Sequence, residues 1–247
     1  MNVLRAERIK LFSTRAPWWC TALAIVAPLA FTAIFMGLAG REFQINVGNT
    51  QAASAQGRTV VLVLAVLAAT SEINWGTLRL TFQAVPSRVP ALLAKVTVVG
   101  ALCTCIGLVV GFGSWAISLM LQPNADLALH TGADWRSVLG QCLTFLLTGI
   151  LGVGVGLLLR STALALTLVL VWTQLLEGLV MLIPRVGKDI YQWMPFYAAD
   201  QFAGGNLLRT TLQLSPPMGP WGYLGYFAAI SVVVFAAGVA VTQRRDA

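Results

Sequence analysis

Long runs of uncharged residues, separated by short polar connections, dominate the chain. One run of 25 residues lies between Arg15 and Arg41, and three other runs have 23 to 34 residues. A helix of 25 residues is about 37 Å long, which exceeds the bilayer hydrocarbon core of about 30 Å. Two further runs are each interrupted by one carboxylate, Glu72 or Glu177. The pattern predicts six membrane-spanning helices, at approximately 17–39, 58–78, 92–121, 138–159, 161–183 and 222–242.

Composition supports an all-α integral membrane protein. Of the 247 residues, 57% are hydrophobic and 10% are charged, and the mean hydropathy is +0.79. Soluble domains carry about 25% charged residues, so the shortage of charge favours the membrane class. No polar block is long enough for a soluble ATPase or a catalytic module. We therefore expect residues 1–247 to form a single transmembrane domain.

The distribution of basic residues predicts the orientation, because Lys and Arg are enriched in cytoplasmic loops. With the N-terminus in the cytoplasm, ten basic residues fall inside and six fall outside. Both termini are then cytoplasmic. The inner set is Arg5, Arg8, Lys10, Arg15, Arg79, Arg88, Lys95, Arg160, Arg244 and Arg245, and the outer set is Arg41, Arg58, Arg136, Arg185, Lys188 and Arg209.

Two segments outside the spans have some helical character. Residues 1–16 mix apolar and basic side chains, which predicts a short helix at the inner membrane surface. A basic tail that only sets the topology is the alternative. Residues 184–221 are rich in proline and aromatic residues, and they predict short outer helices, best over 191–202. That segment is either a lid over an outer opening or a cover packed on the bundle.

Candidate enzymatic chemistry is sparse. The single histidine, His130, lies with Asp126 and Asp134 in a polar loop, and a solvated loop explains these residues better than a metal site. We find no HExxH pattern and no nucleophile elbow, so we expect a protein that is not itself catalytic. The net charge of +7 comes from scattered single residues, which argues against nucleic acid as a partner. The four cysteines lie in apolar runs and are expected to be structural thiols: Cys20, Cys103, Cys105 and Cys142.

Small residues predict how the spans pack. Gly107/Gly111 and Gly152/Gly156 are each four residues apart, a spacing that lets helix backbones approach closely. The glycine-rich run 152–156 is not a nucleotide loop, because it lies inside an apolar helix. A very tight turn at 159–162 predicts an antiparallel helical hairpin of spans four and five.

Polar side chains in span five are candidates for a functional lining. On an α-helix Glu177 shares a face with Thr173 and Gln174, next to Trp172. A charged group facing lipid costs roughly 3 kcal/mol, so this face is expected to contact protein or a wet cavity. The four residues either line a substrate path or form a hydrogen bond that joins two spans.

One charged segment separates spans two and three. It contains the pattern Glu72-x3-Gly76-Thr77-x-Arg79, then Pro86-Ser87-Arg88, then Lys95. The pattern resembles the cytoplasmic elbow of ABC exporter permeases of the second type, and Glu7-x2-Lys10 is similar to the interfacial connecting helix of that family. The resemblance implies that these residues couple the chain to an ATPase: Glu7, Lys10, Glu72, Gly76, Thr77, Arg79, Pro86, Ser87, Arg88 and Lys95.

The resemblance also implies a function. Such a permease would pair with a second permease copy in a bacterial inner membrane and dock two separate ATP-binding subunits. ATP and Mg²⁺ would bind in those subunits, and this chain would bind no cofactor. A drug, antibiotic, peptide or lipid would pass along a path lined by spans two and five. The alternatives are a non-transporting membrane scaffold or accessory subunit, and a secondary transporter.

Overall fold

The computed structural model describes residues 3–38, 45–74, 88–184, 186–204 and 217–245. Within these ranges the chain is helical and contains no β-strand. A 3₁₀ turn at Asn49–Gln51 precedes the third helix. The helices are α1 (Val3–Phe12), α2 (Arg15–Leu38), α3 (Ser54–Asn74), α4 (Arg88–Leu121), α5 (Gly132–Leu159), α6 (Thr162–Val180), α7 (Gly187–Tyr191), α8 (Pro195–Ala203) and α9 (Pro220–Arg245).

Six helices in the described part of the chain are long and apolar enough to cross a membrane: α2, α3 with its preceding 3₁₀ turn, α4, α5, α6 and α9. The predicted number and order of spans are confirmed, and the protein is therefore described as a multi-pass membrane protein. The main difference in bounds is at the start of α3. The helix begins at Ser54, so Arg58 lies in its second turn instead of at its end.

Helix ends follow local capping chemistry. The Thr131 hydroxyl accepts a hydrogen bond from the Asp134 amide at 3.2 Å, and the Asp134 carboxylate accepts one from the Thr131 amide at 2.8 Å. This reciprocal capping box starts α5. Arg160 adopts a left-handed backbone conformation with φ of 53° and ends α5. α6 follows after Ser161, so the predicted tight hairpin is confirmed.

Helix α5 is the centre of the bundle. It packs against α3, α4 and α9. In an apolar stretch of 18 residues, 61% of the residues of α5 are buried, compared with 17% for α6 and for α9. Glycines allow these close contacts. A Cβ atom added to Gly152 or Gly156 would lie 2.7 Å from the Cβ of Ala65 or Ala69 on α3, and one added to Gly107 would lie 2.7 Å from the Gln141 carbonyl oxygen on α5. The predicted glycine-mediated packing is confirmed.

Two short helices lie between α6 and α9. They are α7 and α8, and they fall within the segment that predicted short helices. Helix α8 packs against α5 and α9, and the ring of Tyr197 contacts the rings of Tyr191 and Tyr223 at centroid distances of 4.8 and 5.9 Å. Tyr191, Tyr197 and Phe202 of this segment are therefore part of the core, whereas Trp193 and Trp221 are exposed.

Candidate functional site

Four charged side chains from three helices meet at one end of the bundle. Glu7 and Lys10 lie on α1, Glu72 lies near the end of α3, and Lys95 lies near the start of α4. The Lys95 Nζ atom is 2.9 Å from Glu7 Oε2 and 2.8 Å from Glu72 Oε1. The Lys10 Nζ atom is 2.9 Å from Glu7 Oε1 and 3.4 Å from Glu72 Oε1. We call these four residues the ion cluster.

The ion cluster is largely buried and its formal charges sum to zero. Glu7, Glu72 and Lys95 are 4%, 8% and 6% exposed, whereas Lys10 is more accessible. Burying a charge is costly unless it is paired, and removing one partner of a buried pair is strongly destabilising. The cluster therefore ties α1 to α3 and α4, the two helices that flank residues 75–87.

The neighbouring charges shift the pKa values of Glu7 and Lys10 on α1. Burial alone would raise the pKa of the Glu7 carboxyl, but the charges and hydrogen bonds of Lys95 and Lys10 hold it below its ordinary value. Burial would lower the pKa of the Lys10 ammonium, but Glu7 and Glu72 hold it above its ordinary value. Both groups are thus kept charged at neutral pH.

A cavity of about 550 Å³ adjoins the ion cluster. It lies between α1 and the start of α2 on one side, and α3 and α4 on the other. Its walls are mainly apolar, with Leu64, Leu67 and Val98 among them, and Glu7, Glu72 and Lys95 form its charged part. Helix α1 is therefore held to the bundle by the cluster while a void remains beside it.

The predicted elbow is described only in part. Gly76, Thr77, Arg79, Pro86 and Ser87 lie outside the described residues. Helix α4 begins at Arg88 and includes Pro90 in its first turn, where proline is tolerated. Of the ten predicted coupling residues, the structure brings together Glu7, Lys10, Glu72 and Lys95, and their side chains contact one another.

A second group of polar side chains lies near the start of α3. The predicted residues Thr173, Gln174 and Glu177 of α6 line a cavity of about 250 Å³ together with Arg58, Tyr191 and Asp200. We call this the polar cavity. Arg58 and Glu72 are separated by about 21 Å along α3, at 1.5 Å per residue, so the polar cavity and the ion cluster are at opposite ends of the helix.

Glu177 is held by hydrogen bonds from two sides. Its Oε1 atom accepts a bond from Trp172 Nε1 and another from the Phe196 backbone amide, each at 3.1 Å. Gln174 Nε2 donates to Thr59 Oγ1 at 3.1 Å, which joins α6 to α3. The predicted hydrogen bond between two spans is therefore present, and Thr173, Gln174 and Glu177 also line a cavity. A substrate path along these residues stays a prediction.

The helix geometry at this site differs from the regular α-helix assumed in the sequence analysis. Residues Trp172–Leu176 form a π-helical turn inside α6. Such turns occur mostly as single insertions, frequently at functional sites. The turn changes the spacing of Thr173, Gln174 and Glu177, yet all three still line the polar cavity.

Sequence reasoning missed the ion pair at the base of the polar cavity. The orientation argument counted Arg58 among the outer basic residues, but Arg58 is 1% exposed and pairs through Nη2 with Asp200 Oδ1. They are 142 residues apart, and no local pattern links them. Burial, together with Asp200 and Glu177, holds the pKa of the Tyr191 hydroxyl above its ordinary value, so the phenol is a hydrogen-bond donor.

The loop around His130 is exposed, as predicted. His130 Nε2 is 3.4 Å from Asp126 Oδ1, and both side chains are more than two-thirds exposed. No group of three or more His, Cys, Asp or Glu side chains is arranged to hold a metal ion within the described ranges. In the part of the chain that the structure describes, the ion cluster and the polar cavity are the two candidate sites.

Comparison of the chain with protein-family models and with curated proteins gives no match.

Proposed function

We propose that this chain is the membrane-spanning permease subunit of an ATP-driven exporter that resembles ABC permeases of the second type. It would pair with a second permease copy and be driven by two separate ATP-binding subunits. Those subunits would bind ATP and Mg²⁺ and carry out the hydrolysis. We further propose a bacterial inner membrane as its location and a drug, antibiotic, peptide or lipid as its substrate.

The ion cluster is the observation that carries the proposal. It joins α1 to the two helices on either side of residues 75–87, the segment with the elbow pattern. A force applied to that segment would act on α3 and α4, and the paired charges would carry α1 with them. Six helices of membrane-spanning length and the polar cavity lined by α3 and α6 support the same proposal.

Under this proposal the two sites have different roles. Gly76, Thr77, Arg79, Pro86, Ser87 and Arg88 would contact the ATPase, whereas the ion cluster would transmit the motion inside the permease. Trp172, Thr173, Gln174 and Glu177 would line part of the substrate path. Because α3 runs from the polar cavity to the ion cluster, a movement of α3 would couple the two ends.

Native purification of the chain tests the proposal. We expect an ATPase subunit with a phosphate-binding loop to co-purify, and Arg88→Ala to lower the ATPase activity of the complex while the chain stays folded and membrane-inserted. Arg8→Gln, an exposed cation of α1, is the matched control. Recovery of the intact chain without any ATPase would reject the exporter and leave the scaffold or the secondary transporter.

A further inference from the structure

Arg58 is an unusual side chain for the interior of this bundle. It is 1% exposed, and its Nη2 atom is paired with Asp200. Its Nε and Nη1 atoms have no hydrogen-bond partner among the described residues. A buried donor without an acceptor costs about 1–3 kcal/mol, and more when it is charged. Arg58 lines the polar cavity, and its Nε and Nη1 atoms have almost no accessible surface, so an acceptor oxygen in the cavity would satisfy them after a small shift of the guanidinium.

The carboxylates of the polar cavity require a positively charged hydrogen-bond donor. The two hydrogen bonds to Glu177 both reach Oε1, and Oε2 receives none from the described part of the chain. Asp200 uses Oδ1 for Arg58, and its side chain is 28% exposed. With one arginine and two carboxylates, the cavity has an excess of one negative formal charge. A cation with N–H donors would neutralise this excess and bind the remaining carboxylate oxygens.

The size of the polar cavity limits the ligand. Its volume of about 250 Å³ equals the liquid volume of about eight water molecules. This is smaller than a typical pocket for a drug-sized ligand. A small polar group fits, with the rings of Tyr191 and Phe196 as part of the wall.

We propose that the polar cavity binds a small zwitterionic group that carries a primary ammonium and an oxyanion. The oxyanion binds Arg58, and the ammonium binds Glu177 and Asp200. A free phosphorylated ethanolamine and the headgroup of phosphatidylethanolamine share this chemistry. The assignment of this group as the substrate class of the permease rests on the proposed function. The binding of the group to the polar cavity does not.

Binding to the purified full chain in phosphatidylcholine nanodiscs tests the site, with ethanolamine phosphate as the probe in titration calorimetry. We expect saturable binding, and about tenfold weaker binding of phosphocholine and of inorganic phosphate, because neither presents an ammonium N–H to Glu177. Glu177→Gln and Arg58→Lys are each expected to weaken binding by about tenfold or more, since each loses a charge or a donor at the site. Asp189→Asn, an exposed carboxylate on α7, is the control that leaves binding unchanged.

A second arm separates the two sources of the ligand. Nanodiscs that contain phosphatidylethanolamine are expected to weaken the binding of the free probe if the lipid headgroup occupies the cavity, and to leave it unchanged if the ligand is soluble. Either result supports the site, provided that Glu177→Gln weakens the binding of the free probe in nanodiscs without phosphatidylethanolamine. Three results would overturn the proposed site. They are equal binding of ethanolamine phosphate and phosphocholine, unchanged binding by a folded Glu177→Gln chain, and no binding of the probe in either kind of nanodisc. None of these results depends on an ATPase partner, so the site and the exporter proposal fail independently.

Discussion

The Lys95 ammonium lies 2.9 Å from the Glu7 carboxylate, although 88 residues separate the two along the chain. The contact joins a helix of ten residues to the start of the 34-residue helix α4. Leu11 and Phe12 of α1 also pack on the apolar core, and the paired charges add a specific attachment to this short helix. The electrostatic part of the attachment depends on every member of the ion cluster.

Removing the lysine is expected to destabilise the protein. In Lys95→Met the buried carboxylates of Glu7 and Glu72 lose the ammonium that pairs with both of them, and the expected loss is about 3–5 kcal/mol. Thermal unfolding in detergent measures it. The double variant Lys95→Met/Glu72→Gln should recover part of the loss, because it removes an unpaired buried charge. A melting temperature for Lys95→Met equal to that of Arg8→Gln would contradict the pairing.

Acid should weaken the attachment of α1. The pKa of Glu7 is held below its ordinary value, so the carboxylate stabilises the folded state at neutral pH. This stabilisation is lost as the pH falls from the ordinary value of 4.5 through the lower folded value. Melting temperatures between pH 7 and pH 3 should fall more steeply for the wild type than for Glu7→Gln. Equal slopes would show that Glu7 is not paired in the folded state.

High pH should also weaken the attachment of α1, in this case through deprotonation of Lys10. Its pKa is held above the ordinary value of 10.5, so its contribution is complete below that pH and is lost as the pH rises through the folded value. Lys10 is partly exposed, so the effect is expected to be smaller than that of Glu7 and to weaken with added salt. Melting temperatures of the wild type and Lys10→Gln above pH 10 measure it. Identical profiles would contradict the role assigned to Lys10.

Gly154 should not tolerate a side chain. A Cβ atom there would lie 2.7 Å from the backbone nitrogen of Phe235 on α9, and a backbone atom cannot move aside as a side chain can. We expect Gly154→Ala to cost about 1–3 kcal/mol by pushing α9 away from α5. Gly225→Ala, at a position on α9 with open space, is the control and should be neutral or slightly stabilising. Equal melting temperatures of the two variants would contradict this packing.

The start of α5 should depend on its capping box. Thr131→Ala removes the hydroxyl that accepts from the Asp134 amide, and such losses cost about 1 kcal/mol. Faster hydrogen exchange at residues 132–135 would report the frayed turn. Asp126→Ala changes an exposed loop carboxylate nearby and should leave that exchange unchanged.

Much of the fold could be predicted from the sequence because the bilayer imposes simple rules. Six apolar segments of sufficient length, the hairpin at 159–162 and the glycine spacings all have local signals, and each is confirmed. The start of α3 was set four residues late because Arg58 was treated as a loop residue. A buried arginine inside a span contradicts the hydropathy rule, and only its partner on α8 explains its position.

The candidate sites were predicted in part. Glu7, Lys10 and Lys95 were singled out through the family resemblance. Polarity inside apolar spans pointed to Glu72, Thr173, Gln174 and Glu177. The sequence could not show that Glu7 meets Lys95 or that Arg58 meets Asp200, because both pairs depend on long-range packing. The π-helical turn at Trp172–Leu176 also had no local signal in the sequence.

The order of residues in the ion cluster has a consequence for biosynthesis. Ribosomes make Glu7 and Glu72 before Lys95, so both acceptors already exist when the lysine reaches the translocon. The lysine of the nascent α4 can therefore be neutralised on insertion by carboxylates made earlier. A chain that lacked its first ten residues would insert the same lysine with one carboxylate fewer. The N-terminal helix thus supplies one of the two carboxylates that pair with a lysine of a later span.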